Sequence, residues 1–208
     1  MIGKQSDKNT AVGPCPACDD KCTNLPEVQR LQEEVKRLAA LVRTDALTGL
    51  YSFRYFYQAL SLEMERTRRS GQPTSLIMLD LDHFKAVNDA FGHEVGNAVL
   101  SHISSLISQT VRRLDIPCRY GGEEFTIILP DTTLEQGIRF ANRLRLIIEN
   151  SPLKTREALL GIEASFGVDV FIKGEELLER EFLERVDSFL YLAKQGGRNR
   201  VCHSSTDD

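Results

Sequence analysis

Four carboxylates carry the first chemical signal. Asp80 closes the apolar run Ser75-Leu76-Ile77-Met78-Leu79, Asp82 stands two residues later, and Glu123 and Glu124 stand just after Gly121-Gly122. If these two segments are neighbours in a sheet, three or four acids meet at one sheet edge. Like charges that close repel by several kcal/mol at a partly buried site, so a positive group must balance them. A divalent ion that prefers oxygen fits, since Mg²⁺ typically takes one or two carboxylates plus substrate phosphates. The plainer alternative is that these acids are solvated loop residues. The segment after Asp82 weighs against it. His83-Phe84-Lys85 reads as a turn leading towards Asn88-Asp89, and successive backbone amides in such a turn form an anion-binding nest. Far downstream, Lys194 ends a helical pattern, Gly196-Gly197 terminates it and Arg198 lies just beyond. A Lys and an Arg beside a carboxylate–metal cluster suit a triphosphate. The chain holds no Gly-x-x-x-x-Gly-Lys-[Ser/Thr] loop, no His-Glu-x-x-His and no triad-like motif. His83 and His93 lie in the same region, where a structural role is the expectation. The residues alone point to a metal-dependent nucleotidyl-transfer or nucleotide-binding domain.

These side chains need a scaffold, and the pattern supplies one. Residues 51–70 read as a helix with Phe53, Phe56, Tyr57, Leu60 and Met64 on one face, used for core packing. Residues 74–81 form a short apolar strand. A helix is expected over residues 96–113, where Val99, Leu100, Ile103, Leu106, Ile107 and Val111 recur at helical spacing. The apolar segments on either side of Gly121-Gly122 read as a β-hairpin, because glycine accepts the positive φ of a tight turn. Further helices are expected over residues 132–150 and 176–194, with a strand at 162–171 between them. Mixed helices and strands with an internal antiparallel hairpin define an α+β fold, helices covering an open sheet.

The 208-residue chain carries 26 basic and 30 acidic residues, a formal charge of −4, which excludes a strongly basic nucleic-acid coat. Its 41% apolar content argues against a disordered chain. No apolar run approaches the ~18–20 residues of a membrane span, and the N-terminus lacks the apolar stretch of a secretory signal. A reducing, cytoplasmic setting is expected. Residues 1–25 are polar, aperiodic and rich in Pro, Gly, Asn and Asp, and are expected to be a disordered tail. This tail contains Cys15, Cys18 and Cys22. Three cysteines without a nearby His do not complete a zinc site, which leaves exposed thiols or a centre shared across a dimer. Residues 26–44 form a stalk helix. There Val28, Leu31, Val35, Leu38 and Val42 alternate spacings of three and four, the a/d seam of a parallel two-stranded coiled coil. At about two heptads the seam is marginal alone. A helix packed on the domain and a ligand for another protein's groove are the alternatives. Residues 45–203 form the folded body and 204–208 a short tail.

The motifs, taken in order, resemble the GGDEF family of diguanylate cyclases in its GGEEF form. The signature is Gly121-Gly122-Glu123-Glu124-Phe125. Around it stand Asp45-Ala-Leu-Thr-Gly-Leu50, Asp80-Leu-Asp-His-Phe-Lys85, Asn88-Asp-Ala-Phe-Gly-His93, Ser165-Phe-Gly-Val168 and Ala193-Lys-Gln-Gly-Gly-Arg-Asn199. The resemblance covers about residues 44–203. It implies a central sheet similar to the polymerase palm and the nucleotidyl cyclases, with flanking helices, preceded here by the N-terminal coiled-coil helix. It implies that two GTP condense into cyclic di-GMP with release of two pyrophosphates, at a site formed between two domains. By that resemblance Asp80 and Glu123 hold Mg²⁺ (Mn²⁺ as a substitute) through their side chains and Leu81 through its carbonyl. Phe84 and Lys85 cradle phosphates with their backbone, and Lys194 and Arg198 take the terminal phosphate. Asn88 reads the guanine edge, Gly121 and Gly122 let the hairpin approach the nucleotide, and Glu124 supports the catalytic pair Asp80 and Glu123.

The resemblance also implies an inhibitory product site. Arg112-Arg-Leu-Asp115 leaves five residues between its Asp and Gly121, and Arg112 and Asp115 would bind cyclic di-GMP with help from Arg139 and Arg143. The plainer alternative is an exposed ion pair at a helix end, worth under ~1 kcal/mol. One position departs from the family pattern: Asn97 stands where Asp is usual. Asn offers one acceptor and two donors, so it either still accepts from guanine, more weakly, or admits adenine. GTP is the expected substrate because Asn88 is retained, with relaxed purine choice and a mixed GMP–AMP product as the alternative. A catalytically silent receptor for cyclic di-GMP or GTP is the other reading. No sensor domain of ordinary size is expected upstream. Control would come from homodimer or higher assembly through residues 28–42, or from a separate regulatory protein on that helix. Nucleic acid is not an expected partner.

Overall fold

The computed structural model describes residues 27, 28, 30, 31, 33, 34, 43–155 and 159–204. The chain divides into two units, Met1–Leu41 and Val42–Asp208, each treated by itself. In the first, the described residues are helical, and Glu27 pairs with Arg30 at 2.8 Å. Val28 and Leu31 of the seam are 40% and 48% exposed. The expectations for residues 1–25 and for Val35, Leu38 and Val42 lie outside the described residues, as does the short tail from 205 onward.

The second unit is built on β2 (Thr74–Leu81), whose eight residues are all buried. A strand covered on both faces reads as an unbroken apolar run. Its neighbours are the hairpin β3 (Ile116–Gly121) and β4 (Glu124–Leu129) on one side and β7 (Ala164–Phe171) on the other, with both ladders to β2 antiparallel. β1 (Tyr51–Ser52) and β8 (Val201–His203) add parallel edges, giving the six-stranded order β1-β3-β4-β2-β7-β8. A separate two-stranded piece pairs β5 (Leu153–Lys154) with β6 (Leu159–Leu160).

Four helices cover the sheet: α1 (Phe53–Ser70), α2 (Phe84–Thr110), α3 (Leu134–Glu149) and α4 (Glu179–Gln195). Alternation along β2 divides the core. Ile77, Leu79 and Leu81 pack with α2 and α3, whereas Leu76 and Met78 pack with α1 and α4. Each fully buried Leu, Ile or Phe contributes about 1.5–3 kcal/mol. The result is the expected α+β sheet with helices on both faces.

Four local expectations are corrected. The segment after Asp82 is the start of α2 rather than a free turn, and His83 enters it in a left-handed conformation, φ 59°. The helix expected from residue 96 begins at Phe84. Only Gly92 (φ 82°, ψ 164°) interrupts it, and the polar stretch around that break carries no apolar period. The expected 51–70 helix gives up its first two residues to β1, because they pair with Cys118 and Arg119. The short strands β5, β6 and β8 were also missed, since two or three residues are too few to set a period.

Candidate active site

β2, the β3–β4 hairpin and α4 converge on one end of the sheet. Asp80 pairs across the ladders with Glu124 on one side and Ser165 on the other. It follows Leu76 and Met78 in the alternation, so it belongs to the face covered by α4. Gly167 of β7 lets that helix close in. A Cβ there would stand 2.3 Å from the Val186 carbonyl oxygen and 2.5 Å from the Leu190 amide nitrogen. With the helix this close, Lys194 Nζ reaches Asp80 Oδ2 at 2.9 Å. The ammonium expected at a terminal phosphate therefore also neutralises a buried acid.

The hairpin tip holds the other acids. Gly122 turns with φ 45°, and the Glu123 carbonyl accepts from the Leu81 amide at 3.4 Å. Burial pushes the Asp80 pKa up, Lys194 opposes that, and Glu123 and Asp82 push it up again. Glu124 is raised by burial and then by Asp80, with Lys194 again opposing and Asp187 and Glu123 adding to the rise. Negative charge thus exceeds positive charge in a poorly solvated place. The donors are all oxygen, which suits a hard divalent cation. Among the described residues no group of three His, Cys, Asp or Glu side chains forms a cage.

Asp82 does not join that cluster. Its carboxylate accepts from Ser165 Oγ at 2.8 Å and from the Asn199 amide at 3.0 Å, and its side chain is 1% exposed. Arg198 stays largely accessible, with Nε 4.0 Å from Asp82 Oδ1. Phe84 is buried and Lys85 exposed in the first turn of α2. There the Ala86 and Val87 amides already bond to His83. Asn88 packs against Gly96, where an added Cβ would meet its Oδ1 at 2.0 Å. Asn97 is exposed on the next residue.

A clamp that sequence reasoning missed fixes the hairpin tip. Arg119 donates from Nε and Nη2 to the Gly122 carbonyl at 3.1 and 2.9 Å, and from Nη1 to both Asp45 carboxylate oxygens at 3.2 and 3.3 Å. Asp45 is itself held by the Thr48 amide and hydroxyl at 2.9 and 2.7 Å. Burial opposes its ionisation, but the Thr48 and Arg119 bonds outweigh it and lower the pKa. The bonds to Thr48 are local, whereas the partner 74 residues away leaves no local trace in the sequence.

On the far side, Arg112, Arg139 and Arg143 line one cleft with Gln136 and Phe140. Asp115 is buried beneath it, and its Oδ2 accepts from the Arg112 amide at 2.7 Å. The contact is a backbone turn rather than an ion pair between the two side chains. Burial raises the Asp115 pKa, with Arg112 and Arg143 opposing. Arg143 also donates to the Thr110 carbonyl at 3.2 Å.

Fold and site together define a palm-like nucleotide domain with an acidic sheet end, a glycine hairpin and flanking cations. The family model for the diguanylate cyclase GGDEF domain matches residues 42–200, and the chain belongs to that family. It is 38% identical over 173 residues to the response regulator PleD of Caulobacter vibrioides, covering 82% of this chain and 38% of that one. It is 39% identical over 178 residues to the diguanylate cyclase VdcA of Vibrio cholerae, covering 84% of this chain and 51% of the other. It thus spans about half or less of these relatives. Among solved structures, the coiled coil and GGDEF domain of DgcB from Caulobacter crescentus, in complex with c-di-GMP, superposes with a TM-score of 0.74. The two are 31% identical, over 86% of this chain and 94% of that one. The diguanylate cyclase SiaD from Pseudomonas aeruginosa, in complex with its activator SiaC, gives 0.74 at 33% identity, over 87% and 72%. No helix among the described residues is long and apolar enough to cross a membrane.

Proposed function

We propose that this chain is a diguanylate cyclase that joins two GTP into cyclic di-GMP and two pyrophosphates. The observation that supports it most is the convergence of Asp80, Glu124 and Lys194 at the sheet end, beside the Gly121-Gly122-Glu123 tip. Asn88 and Asn97 address the base. The first-turn backbone at Phe84 and Lys85 meets the phosphates, and Lys194 and Arg198 balance the terminal charge. Gly121 and Gly122 leave room for the α-phosphate. Asp80 and Glu123, with the Leu81 carbonyl, would hold Mg²⁺, which supplies charge stabilisation for the pentacoordinate phosphorus.

The chain's own contribution is positioning and electrostatics. Each domain presents one GTP to a second domain facing it. A 3′-oxygen forms a bond to the opposite α-phosphorus while the bond from that phosphorus to pyrophosphate breaks. The hydroxyl proton leaves in a metal-assisted step to a carboxylate, a role we give to Glu123. Two such exchanges close the ring, so a lone domain cannot finish. The Val28–Val42 seam raises the local concentration of partners, and a separate protein seated on that helix is the other route of control. The cleft of Arg112, Arg139 and Arg143 above Asp115 binds the product and holds domains apart. GTP as substrate places the work in the cytoplasm.

The test is turnover of the purified chain with Mg²⁺ against protein concentration, with GTP and ATP supplied separately and together. Cyclic di-GMP and two pyrophosphates per ring, with a rate rising faster than linearly in protein, is the expected result. A mixed GMP–AMP ring in the combined reaction identifies Asn97 as permissive. Binding of cyclic di-GMP without any turnover identifies a silent receptor and overturns the enzymatic reading.

A further inference from the structure

Residues 196–199 link α4 to β8 through an uncommon backbone. Gly197, Arg198 and Asn199 have φ of 115°, 64° and 44°. Two successive side-chain-bearing residues in the left-handed region are strained, and such strain persists only where surrounding structure over-determines it. Here the surroundings are specific. The Arg198 amide donates to the Ala193 carbonyl at 3.0 Å, and the Asn199 amide donates to Asp82 Oδ2 at 3.0 Å. Ser165 holds the other Asp82 oxygen, so this anchor does not swing away. Arg200 Nε donates to the Arg198 carbonyl at 3.2 Å.

The Asn199 side chain is engaged at both ends. Its Oδ1 accepts from Arg145 Nη1 at 3.0 Å, and its Nδ2 donates to Glu149 Oε1 at 3.0 Å. Arg145 and Glu149 also pair with each other at 2.9 Å. One amide therefore ties the loop to α3, while its own backbone ties it to β2 through Asp82. The Arg198 head is left 45% exposed above this fixed backbone. An Asn suits the post as no charged residue does. It tolerates left-handed backbone, and its amide offers both an acceptor to Arg145 and a donor to Glu149. An Asp would set a second carboxylate against Glu149.

We propose that Asn199 and Asp82 are positioning residues that lock the left-handed Arg198 loop between α3 and β2 and so present the Arg198 guanidinium to the terminal phosphate. This rests on the reading of Arg198 as a terminal-phosphate group. The lock supplies preorganisation: the loop's strain is met on folding rather than on binding.

The test is calorimetric binding of two nucleotides to the full chain with Mg²⁺: a GTP analogue with methylene between the α- and β-phosphorus atoms, and GDP. Asn199→Gly keeps the backbone free to adopt φ 44° and removes only the side-chain tie. It is expected to weaken the analogue about tenfold and GDP less than about twofold, as Arg198→Ala does. The double variant is expected to bind no more weakly than Arg198→Ala alone, because both changes remove one effect. Arg145→Met approaches the tie from α3 and is expected to act in the same direction by about threefold, which keeps the test open if Asn199→Gly folds poorly. Unchanged analogue affinity in both tie variants, or equal weakening of analogue and GDP, overturns the lock. If Arg198→Ala itself leaves the analogue unaffected, the terminal-phosphate reading fails instead, and the lock loses its purpose with it.

Discussion

Gly96→Ala separates binding from stability within one residue. In the wild type the Asn88 side chain occupies the space beside Gly96. An added methyl would stand 2.0 Å from Asn88 Oδ1, 3.0 Å from its Cγ and 3.3 Å from Phe84 Cζ. The amide head is the free end of a short side chain, so it rotates away and the fold survives. On the proposed reading of Asn88 as the group that meets guanine, that rotation removes the contact. Asn88 offers the base one acceptor and one or two donors. At about 0.5–1.5 kcal/mol per net hydrogen bond, losing two costs about 1–3 kcal/mol, a factor of roughly 5–150 in affinity. Stability moves the other way. Replacing helical Gly by Ala gains about 0.5–1 kcal/mol, which raises the melting temperature by about 1–4 °C at this domain size.

The assays are calorimetric titration with the methylene GTP analogue and thermal unfolding, both run on Gly96→Ala and on Asn88→Ala. Nucleotide affinity is expected to fall at least about fivefold in Gly96→Ala while its melting temperature holds or rises. Asn88→Ala is expected to match the affinity loss, and the double variant to add nothing. Wild-type affinity in Gly96→Ala would falsify the assignment of Asn88 to the base. A melting temperature lowered by many degrees would show instead that the helix, not the amide, absorbs the methyl.

Three further outcomes are expected. Arg119→Ala frees the Gly122 carbonyl and leaves Asp45 with Thr48 alone, so kcat should fall about tenfold with KM for GTP little changed, from loss of a charge-assisted contact worth about 1.5–3 kcal/mol; a change confined to melting temperature refutes the clamp. Asp80 is raised above its ordinary 3.8 chiefly by burial, so the folded state holds this proton more tightly than the unfolded chain does. In chelator the domain should lose stability as pH rises through that raised value, with a flatter profile in Asp80→Asn; identical profiles in thermal scans from about pH 4 to 7 refute it. Leu31→Lys with Leu38→Lys should lower turnover steeply at low protein concentration while leaving the GGDEF domain's melting unchanged, and undiminished turnover there removes the seam from control.

The sequence carried the parts of this fold that a local pattern encodes. The run 74–81 showed itself as a strand because both faces are covered, and Gly121-Gly122 showed the hairpin because its turn needs positive φ. α3 and α4 were legible from apolar residues at helical spacing. The first turns of α2 were not, since Phe84, Val87 and Asn88 stand among polar residues and Gly92 breaks the period. β1 and β8 are strands only because a neighbour lies alongside them. The order of strands was conditional too: Asp80 and Glu124 belong to one site only once β4 lies beside β2 in that register.

The same division separates the residues of the site. Acids, glycines and cations declare their chemistry by type, so Asp80, Glu123, Lys194 and Arg198 could be singled out as candidates from the chain alone. Residues that hold those groups in place declare nothing, because their meaning lies in a partner far along the chain. Asp82 looks like a metal acid by its spacing from Asp80, yet its partners are Ser165 and an amide 117 residues away. Arg119 reads as part of a strand until Asp45 arrives opposite it. Asn199 looks like a loop residue until α3 supplies Arg145 and Glu149. In each case a polar side chain is kept by bonds made on both sides, and removing one partner leaves the other poorly solvated and unpaired. Substitutions at Asp82, Arg119 and Asn199 should therefore act on the geometry of the hairpin tip and of Arg198, changing how the nucleotide is held without touching it.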